Sequence, residues 1–217
     1  MINYFVIIFY ILSIFSIAII YRIYKPHNKE FLRKIIHIGI GPLIPIALYL
    51  QINQISALLF TGLMAFLILA NYCYRIFPII EDVDRKSYGT FFYCFSLFIL
   101  ILCFWKEDPL SLTTGFLIMT FGDGFAGLLG KNIPSKTWSF LKQKKSLLGT
   151  LTMFITTLII LISLSYSGGY EFSLYLIIIA IFTTLFEQIS IVGIDNLTVP
   201  IFSAFSFNLL ISKILIN

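Results

Sequence analysis

The amino-acid sequence predicts an all-α fold, a polytopic bundle of about seven to eight transmembrane helices in one domain, residues 1–217. Two observations predict it. Of the 217 residues, 59% are hydrophobic and only 12% are charged, and the mean hydropathy is +0.97. Such a chain has too little polar surface for a soluble domain. Apolar runs of about 20 residues, the length that crosses a bilayer, also recur along the chain.

Eight apolar segments are candidate spans, and the second and the eighth are the weakest. Pro42 and Pro45 lie in the second and Pro200 lies in the eighth, so either span can be broken or partly re-entrant. The first segment lacks a basic leader and a small-residue cleavage site, so we expect a retained helix rather than a signal peptide. The segments are residues 5–20, 35–50, 55–71, 90–105, 110–129, 147–165, 172–190 and 197–216.

Basic residues in the connecting loops predict the orientation of the bundle. They gather after the first, third and fifth segments, whereas the alternate loops contain only Lys106. Because positively charged loops face the cytoplasm, we expect these three loops inside and the amino terminus outside. The residues concerned are Arg22, Lys25, Lys29, Arg33 and Lys34, then Arg75, Arg85 and Lys86, then Lys131, Lys136, Lys142, Lys144 and Lys145.

The segment FGDGFAGLLGK places Asp123 at the end of the fifth apolar run. A carboxylate there costs a few kcal/mol unless a cation or water receives it, so it is a functional candidate. Its glycines, Gly122, Gly124 and Gly127, match G-x-G-x-x-G, but the preceding LTTGFLIMTF is too long and apolar for the strand of a dinucleotide fold. The final lysine also lacks the Ser or Thr of a Walker loop. What remains is an acid where the main chain can approach a phosphate or a metal closely.

Polar residues within or beside the apolar segments all fall at the ends predicted to face the cytoplasm. A random scatter would not sort this way, so we expect one polar site at the cytoplasmic end, where soluble ions and nucleotides are available. The contributing residues are Arg33, Lys34, His37, Asp123, Lys144, Lys145, Ser146, Glu187, Asp195 and Asn196.

Three of these residues, Asp123, Glu187 and Asp195, carry carboxylates. Carboxylate oxygens suit Mg²⁺, which takes one or two of them together with substrate phosphates. The alternative is that the three acids only pair between helices, with Arg33 or Lys145.

Basic residues at two predicted helix starts indicate anion binding. Arg33 and His37 share a helix face, where the arginine can hold an anion and the histidine can hydrogen-bond or shuttle a proton. The alternative is a snorkelling arginine and an interfacial histidine. KKSLLGT, from Lys144 to Thr150, places two cations before a small-residue helix start whose amide groups can bind phosphate.

Three segments in order resemble the polyprenol kinase family, which includes phytol kinases, farnesol kinases and the membrane domain of dolichol kinases. They are FLRKIIHIGIGPLIP from Phe31, FGDGFAGLLGK followed by KKSLLGTLTMF, and GIDNLTVPIFSAF from Gly193. The resemblance is closest to small cyanobacterial or plastid phytol kinases. Residues 31–205 would form the motif-bearing core of the kinase domain, and residues 1–30 a peripheral first helix with a basic loop.

The resemblance implies transfer of the γ-phosphoryl group of CTP to a long-chain isoprenoid alcohol, phytol in the first instance, with Mg²⁺ as cofactor. It also implies a link to tocopherol biosynthesis; ATP and UTP stay open as donors. The catalytic residues would be Asp123, Arg33, His37 and Asp195, with Asp123 or His37 as the base, and the metal ligands Asp123, Glu187, Asp195 and Asn196. The nucleotide phosphates would contact Lys34, Gly122, Gly124, Gly130, Lys131, Lys144, Lys145, Ser146 and Gly149.

These expectations describe a multi-pass protein of a bacterial plasma or thylakoid membrane. Its partners would be the alcohol, the nucleotide and membrane lipid, with no nucleic acid. Three alternatives stay open: a diacylglycerol or other lipid kinase of the same family, a CDP-lipid synthase and a small transporter. The chain lacks the aspartate-rich carboxy-terminal element of the synthases and the two-fold repeat typical of transporters.

Overall fold

A computed structural model describes residues 2–26, 28–74, 88–140 and 143–216. This part of the chain contains ten α-helices, one π-helical segment and a two-stranded hairpin. The helices are α1 Ile2–Tyr24, α2 Lys29–Gly39, α3 Leu43–Tyr49, α4 Gln54–Tyr74, α5 Gly89–Phe104, α6 Pro109–Leu117, α7 Gly124–Asn132, α8 Leu147–Ser167, α9 Leu174–Gln188 and α10 Asp195–Ile216. The π segment, Ile118–Asp123, joins α6 to α7, and the strands are β1 Thr137–Phe140 and β2 Gln143–Ser146.

Five helical stretches among the described residues are long and apolar enough to cross a membrane. Helices α5 and α9 are also apolar but shorter. The predicted helical membrane bundle is therefore confirmed as a class, while the count of seven to eight spans stays a prediction. The five stretches are Ile2–Tyr24, Glu30–Tyr49, Gln54–Tyr74, Pro109–Asn132 and Leu147–Ser167.

The second predicted span is broken, as its two prolines suggested. Helix α2 ends at Gly39 and α3 begins at Leu43, with Gly41 and Pro42 in the turn between them. A side chain at position 41 would not fit, because a Cβ there would lie 2.9 Å from Thr120 Oγ1. Pro200, in contrast, lies inside a continuous α10.

The centre of the bundle is the rod formed by α6, the π segment and α7. Its Leu112, Phe116, Ile118 and Met119 are fully buried. Helices α5, α8 and α10 pack around it. Gly115 lets α10 come close, because a Cβ at this position would lie 2.5 Å from the Pro200 carbonyl oxygen, a small-residue contact typical of membrane helices.

Helix α1 packs mainly on α2 and α3 and buries few of its own residues. The division of the chain into residues 1–30 and 31–205 stays a prediction. The hairpin departs from the predicted all-α fold: β1 and β2 pair antiparallel between α7 and α8. Lys142 and the loop 75–87, with Arg75, Arg85 and Lys86, lie outside the described residues, so the charge pattern that predicts orientation is only partly described.

Candidate active site

Asp123 ends the π segment and lies beside Lys34 of α2. Its Oδ2 is 2.7 Å from Lys34 Nζ, which also donates to the Asp123 main-chain oxygen at 3.0 Å. A π segment widens the helix by one residue per turn and is frequent at functional sites. Gly127, one turn on, leaves room for the lysine, because a Cβ there would lie 2.6 Å from Lys34 Cε. The Asp123 carboxylate, which the sequence predicts to be energetically unfavourable in an apolar segment, is thus paired with the buried ammonium group of Lys34.

His37 reaches the same aspartate from the next turn of α2. Its Nε2 lies 3.4 Å from Asp123 Oδ2 and 3.1 Å from the Met119 main-chain oxygen. The Tyr93 hydroxyl donates to the His37 carbonyl at 3.3 Å, and the two rings are in contact. His37 therefore lies within reach of the Asp123 carboxylate, and its role in proton transfer stays a prediction.

Glu187, near the end of α9, forms an ion pair with Lys145 of β2. Lys145 Nζ also donates to the Glu187 main-chain oxygen at 2.8 Å. On its other side, Glu187 Oε2 accepts from Gln188 Nε2 at 2.6 Å, and the same amide lies 2.8 Å from Thr150 Oγ1. The carboxylate is therefore held on both of its oxygens.

Asp195 begins α10 and follows a turn with an unusual backbone. Val192 and Gly193 both have positive φ, +58° and +89°. For a β-branched residue this is a strained conformation, of the kind that surrounding structure must maintain. The turn is closed by Ser190, whose Oγ accepts from the Asp195 amide at 2.8 Å.

Asp123, Glu187 and Asp195 come together, and we call them the acidic trio. One carboxylate oxygen of each lies within 4.8 Å of those of the other two. Three carboxylates this close repel one another unless cations intervene. The neighbouring Asn196 is buried, and its Oδ1 finds no hydrogen-bond partner among the described residues. Carboxylate and amide oxygens are ligands that Mg²⁺ accepts, so these residues fit a divalent cation.

Arg33 forms its ion pair within α2 rather than with the acidic trio. Its Nη2 donates to Glu30 Oε1 at 2.8 Å within α2. Of the two interhelical pairings named as the alternative to a metal site, the one between Lys145 and a carboxylate is present, with Glu187. The one with Arg33 is not observed: consecutive helical residues point about 100° apart, and Lys34 is the residue that faces α7.

The predicted phosphate-contacting residues lie in two groups. Lys34 and Lys131 line an open pocket between α2 and α7, together with Glu30. The second group follows the hairpin and the start of α8, where Ser146 Oγ caps the helix by accepting from the Gly149 amide at 3.2 Å. Lys144 is exposed, whereas Lys145 is directed to Glu187.

The glycines of the central rod make close packing contacts. A Cβ at Gly122 would lie 2.8 Å from Met153 Sδ, and one at Gly130 would lie 2.6 Å from Ser146 Oγ. Gly124 is crowded by Ile38 in the same way. Their predicted role at the phosphates stays a prediction, as do the roles of the other site residues.

Sequence reasoning missed four contributors to the site: Tyr93, Gln188, Ser190 and the Met119 carbonyl. Each acts by positioning a predicted residue rather than by carrying charge. A hydroxyl or an amide in an apolar helix gives no distinctive pattern, and a main-chain carbonyl that contacts a side chain leaves no trace in the sequence. Ser190, five residues before Asp195, is the one contributor that the sequence could have indicated, because serine side chains commonly accept hydrogen bonds from main-chain amides in turns.

Comparison with known proteins places the chain among kinases. It is 36% identical over 179 residues to a phytol kinase of Synechocystis sp., and this alignment covers 81% of this chain and 77% of that protein. It is 28% identical over 201 residues to a probable chloroplastic phytol kinase of Triticum aestivum, covering 80% of this chain and 65% of that protein. It is 27% identical over 188 residues to the probable chloroplastic phytol kinase 2 of Glycine max, and the alignment covers 80% of this chain and 63% of that protein.

The chain matches no protein-family model and no solved structure. The similarity to the Synechocystis protein nevertheless extends over four fifths of the chain. At that identity and coverage, this membrane protein belongs to the phytol kinase family and is a phosphotransferase that acts on an alcohol.

Proposed function

We propose that this protein transfers the γ-phosphoryl group of CTP to the hydroxyl of a long-chain isoprenoid alcohol, phytol in the first instance. The alcohol oxygen forms a bond to the γ-phosphorus, the bond to the bridging oxygen breaks, and the nucleoside diphosphate leaves. The observation that carries the proposal is the acidic trio with two buried lysines, in a chain whose relatives are named phytol kinases.

The acidic trio and Asn196 would hold the Mg²⁺ of the nucleotide complex. Asp123 and Asp195 are the principal ligands in this proposal, and Glu187 is a second ligand or orients them. When bound, the ion neutralises charge that develops on the phosphate oxygens, which is the main catalytic requirement of phosphoryl transfer.

The basic residues would hold the triphosphate. Lys145 and Lys34 already lie against the acidic trio, so each ammonium is within a side-chain movement of any phosphate bound there. Arg33 lies one position before Lys34, and Lys131 lines the pocket that Lys34 shares. These basic groups supply positioning and charge neutralisation rather than covalent catalysis.

The hydroxyl group of the alcohol must lose its proton to an acceptor close to the acidic trio. Asp123 and His37 are 3.4 Å apart and are the two candidates. The isoprenoid tail would lie between the helices and in lipid, which already solvates such a chain. A site at the end of a membrane bundle therefore lets one enzyme meet a water-soluble nucleotide and a membrane-dissolved alcohol.

The proposal requires the acidic trio to face the cytoplasm. Reporter fusions after Lys29 and Lys142 are expected to read cytoplasmic, and a fusion after Gly168 is expected to read external. A fusion after Lys142 that reports outside would place the site on the side without nucleotide and contradict the orientation.

The activity is tested with purified protein in detergent. Phytol, farnesol, diacylglycerol and, as the substrate of a CDP-lipid synthase, phosphatidic acid are each incubated with Mg²⁺ and CTP, ATP or UTP, and both products are identified. The proposal expects prenyl monophosphate and cytidine diphosphate. Phosphorylation of diacylglycerol alone would indicate a different lipid kinase, release of pyrophosphate would indicate a CDP-lipid synthase, and no product from any pair would contradict a kinase.

A further inference from the structure

Two of the three carboxylates in the acidic trio are each neutralised by a buried lysine from another element. In the Lys34–Asp123 pair the side chains are 5% and 16% exposed, and in the Lys145–Glu187 pair 11% and 10%. Asp195 differs, since no lysine or arginine of the described ranges forms an ion pair with it. Its Oδ1 accepts the Asn196 amide at 3.1 Å instead.

The two lysines share a second feature. Each ammonium donates both to the carboxylate and to the main-chain carbonyl of the same acidic residue, Lys34 to Asp123 at 3.0 Å and Lys145 to Glu187 at 2.8 Å. If a carboxylate turned away, its lysine would keep the carbonyl as an acceptor and would stay beside the site. Each lysine is thus held next to its acid by a contact that does not depend on the carboxylate.

The ammonium groups and a divalent cation would compete for the same carboxylates, because Lys34 and Lys145 each contact one oxygen of an acid in the trio. Three carboxylates and two lysines sum to a formal charge of about −1, so Mg²⁺ alone would leave an excess positive charge in a poorly solvated site. The anionic oxygens of a triphosphate would remove that excess. They would also give both lysines a new partner once the metal takes the carboxylates.

We propose that Lys34 and Lys145 act as exchangeable counter-ions, which block the metal ligands until nucleotide arrives. Binding then moves each ammonium from its carboxylate to a phosphate oxygen, and the carboxylates turn to the metal. The metal alone therefore binds weakly, and metal and nucleotide strengthen each other. This inference rests on the proposed function and specifies how its metal and nucleotide are loaded.

The test measures binding of Mn²⁺ alone to the full-length protein in detergent by calorimetry, without nucleotide. Lys145→Met is expected to bind Mn²⁺ about tenfold or more tightly than the unsubstituted protein, because a competing cation has gone. The matched control is Lys136→Met, an exposed lysine that precedes the hairpin and lies outside the site; it is expected to leave the Mn²⁺ affinity unchanged. In Lys145→Met/Glu187→Gln the gain is expected to disappear.

Removing one partner of a buried ion pair lowers stability, so a second measurement keeps the test decisive. The melting temperatures of Lys145→Met and Lys34→Met are compared in EDTA and in Mn²⁺. Mn²⁺ is expected to raise both more than it raises the melting temperature of the unsubstituted protein. The exchange would be overturned if Lys145→Met bound Mn²⁺ no more tightly than the unsubstituted protein. It would also be overturned if Mn²⁺ raised the melting temperature of both variants by no more than it raises that of the unsubstituted protein.

The two proposals fail in different ways. If no alcohol is phosphorylated but Lys145→Met binds Mn²⁺ more tightly, the counter-ion exchange at a metal site stands and the kinase reaction does not. If the kinase reaction is found but the Mn²⁺ affinities are unchanged, the reaction stands and the lysines are permanent partners of the acids.

Discussion

Asp108 precedes the first helix of the central rod, whereas Asp123 lies within the rod where the π segment meets α7, and the two aspartates have opposite surroundings. Asp108 caps α6: its Oδ1 accepts the Ser111 amide at 3.1 Å, and its Oδ2 accepts the Ser111 hydroxyl and Asn208 Nδ2, the latter at 2.7 Å. Asp123, fifteen residues and roughly 20 Å further along, pairs with Lys34 and lies within 4.8 Å of two more carboxylates.

The comparison shows how the same side chain serves two purposes. An aspartate satisfied by neutral donors at a helix start contributes to stability and needs nothing further. An aspartate placed against other carboxylates needs cations, which makes the arrangement costly without a function that uses it. Charge concentration, rather than the presence of an acid, therefore distinguishes the candidate active site from the start of the rod.

The largest expected effect is that of Asp123→Asn. This substitution keeps the shape and removes the charge, so phosphoryl transfer should be abolished while the protein stays folded and extractable, since Lys34 retains the main-chain oxygen of residue 123. Turnover and thermal melting are measured together, with the exposed Glu171→Gln as a charge-matched control. Turnover retained within about tenfold, roughly 1.4 kcal/mol in the barrier, would rule out Asp123 as a principal ligand.

An intermediate effect is expected for Lys145→Ala, which removes a cation but no metal ligand. The KM for nucleotide should rise by about tenfold or more, and the KM for the alcohol should change little, because the substitution removes binding to one substrate only. Both KM values are measured by steady-state kinetics in which each substrate is varied in turn, with Lys136→Ala as the control. An unchanged nucleotide KM, or a switched alcohol preference, would mean that the nucleotide binds elsewhere.

The smallest expected effect is that of Asp108→Ala. Loss of the cap should cost about 1 kcal/mol of stability, seen as a lower melting temperature, and turnover below that temperature should be retained. If this variant instead lost activity as Asp123→Asn does, the two aspartates would not differ in the way that their hydrogen-bond partners indicate.

Much of the candidate site was predictable from sequence because an acid in an apolar run is conspicuous. The place of Asp123, Glu187 and Asp195 at one end of the bundle predicts that they lie together, and one oxygen of each does lie within 4.8 Å of those of the other two. That they bind a metal stays a prediction. The partner of Asp123 was not predictable. Arg33 and Lys34 are adjacent and both basic, and the choice between them depends on how α2 is rotated against α7.

The sequence by itself determined the membrane class, the helical segments and the acids that gather at one end, because a bilayer constrains composition and length so strongly. The tertiary structure alone decided which cation meets which acid. Lys34 and Asp123 are 89 positions apart and Lys145 and Glu187 are 42 apart, so each pair depends on helix packing. The π segment and the strained turn before Asp195 belong to the same class, since both are local distortions that the packed bundle maintains.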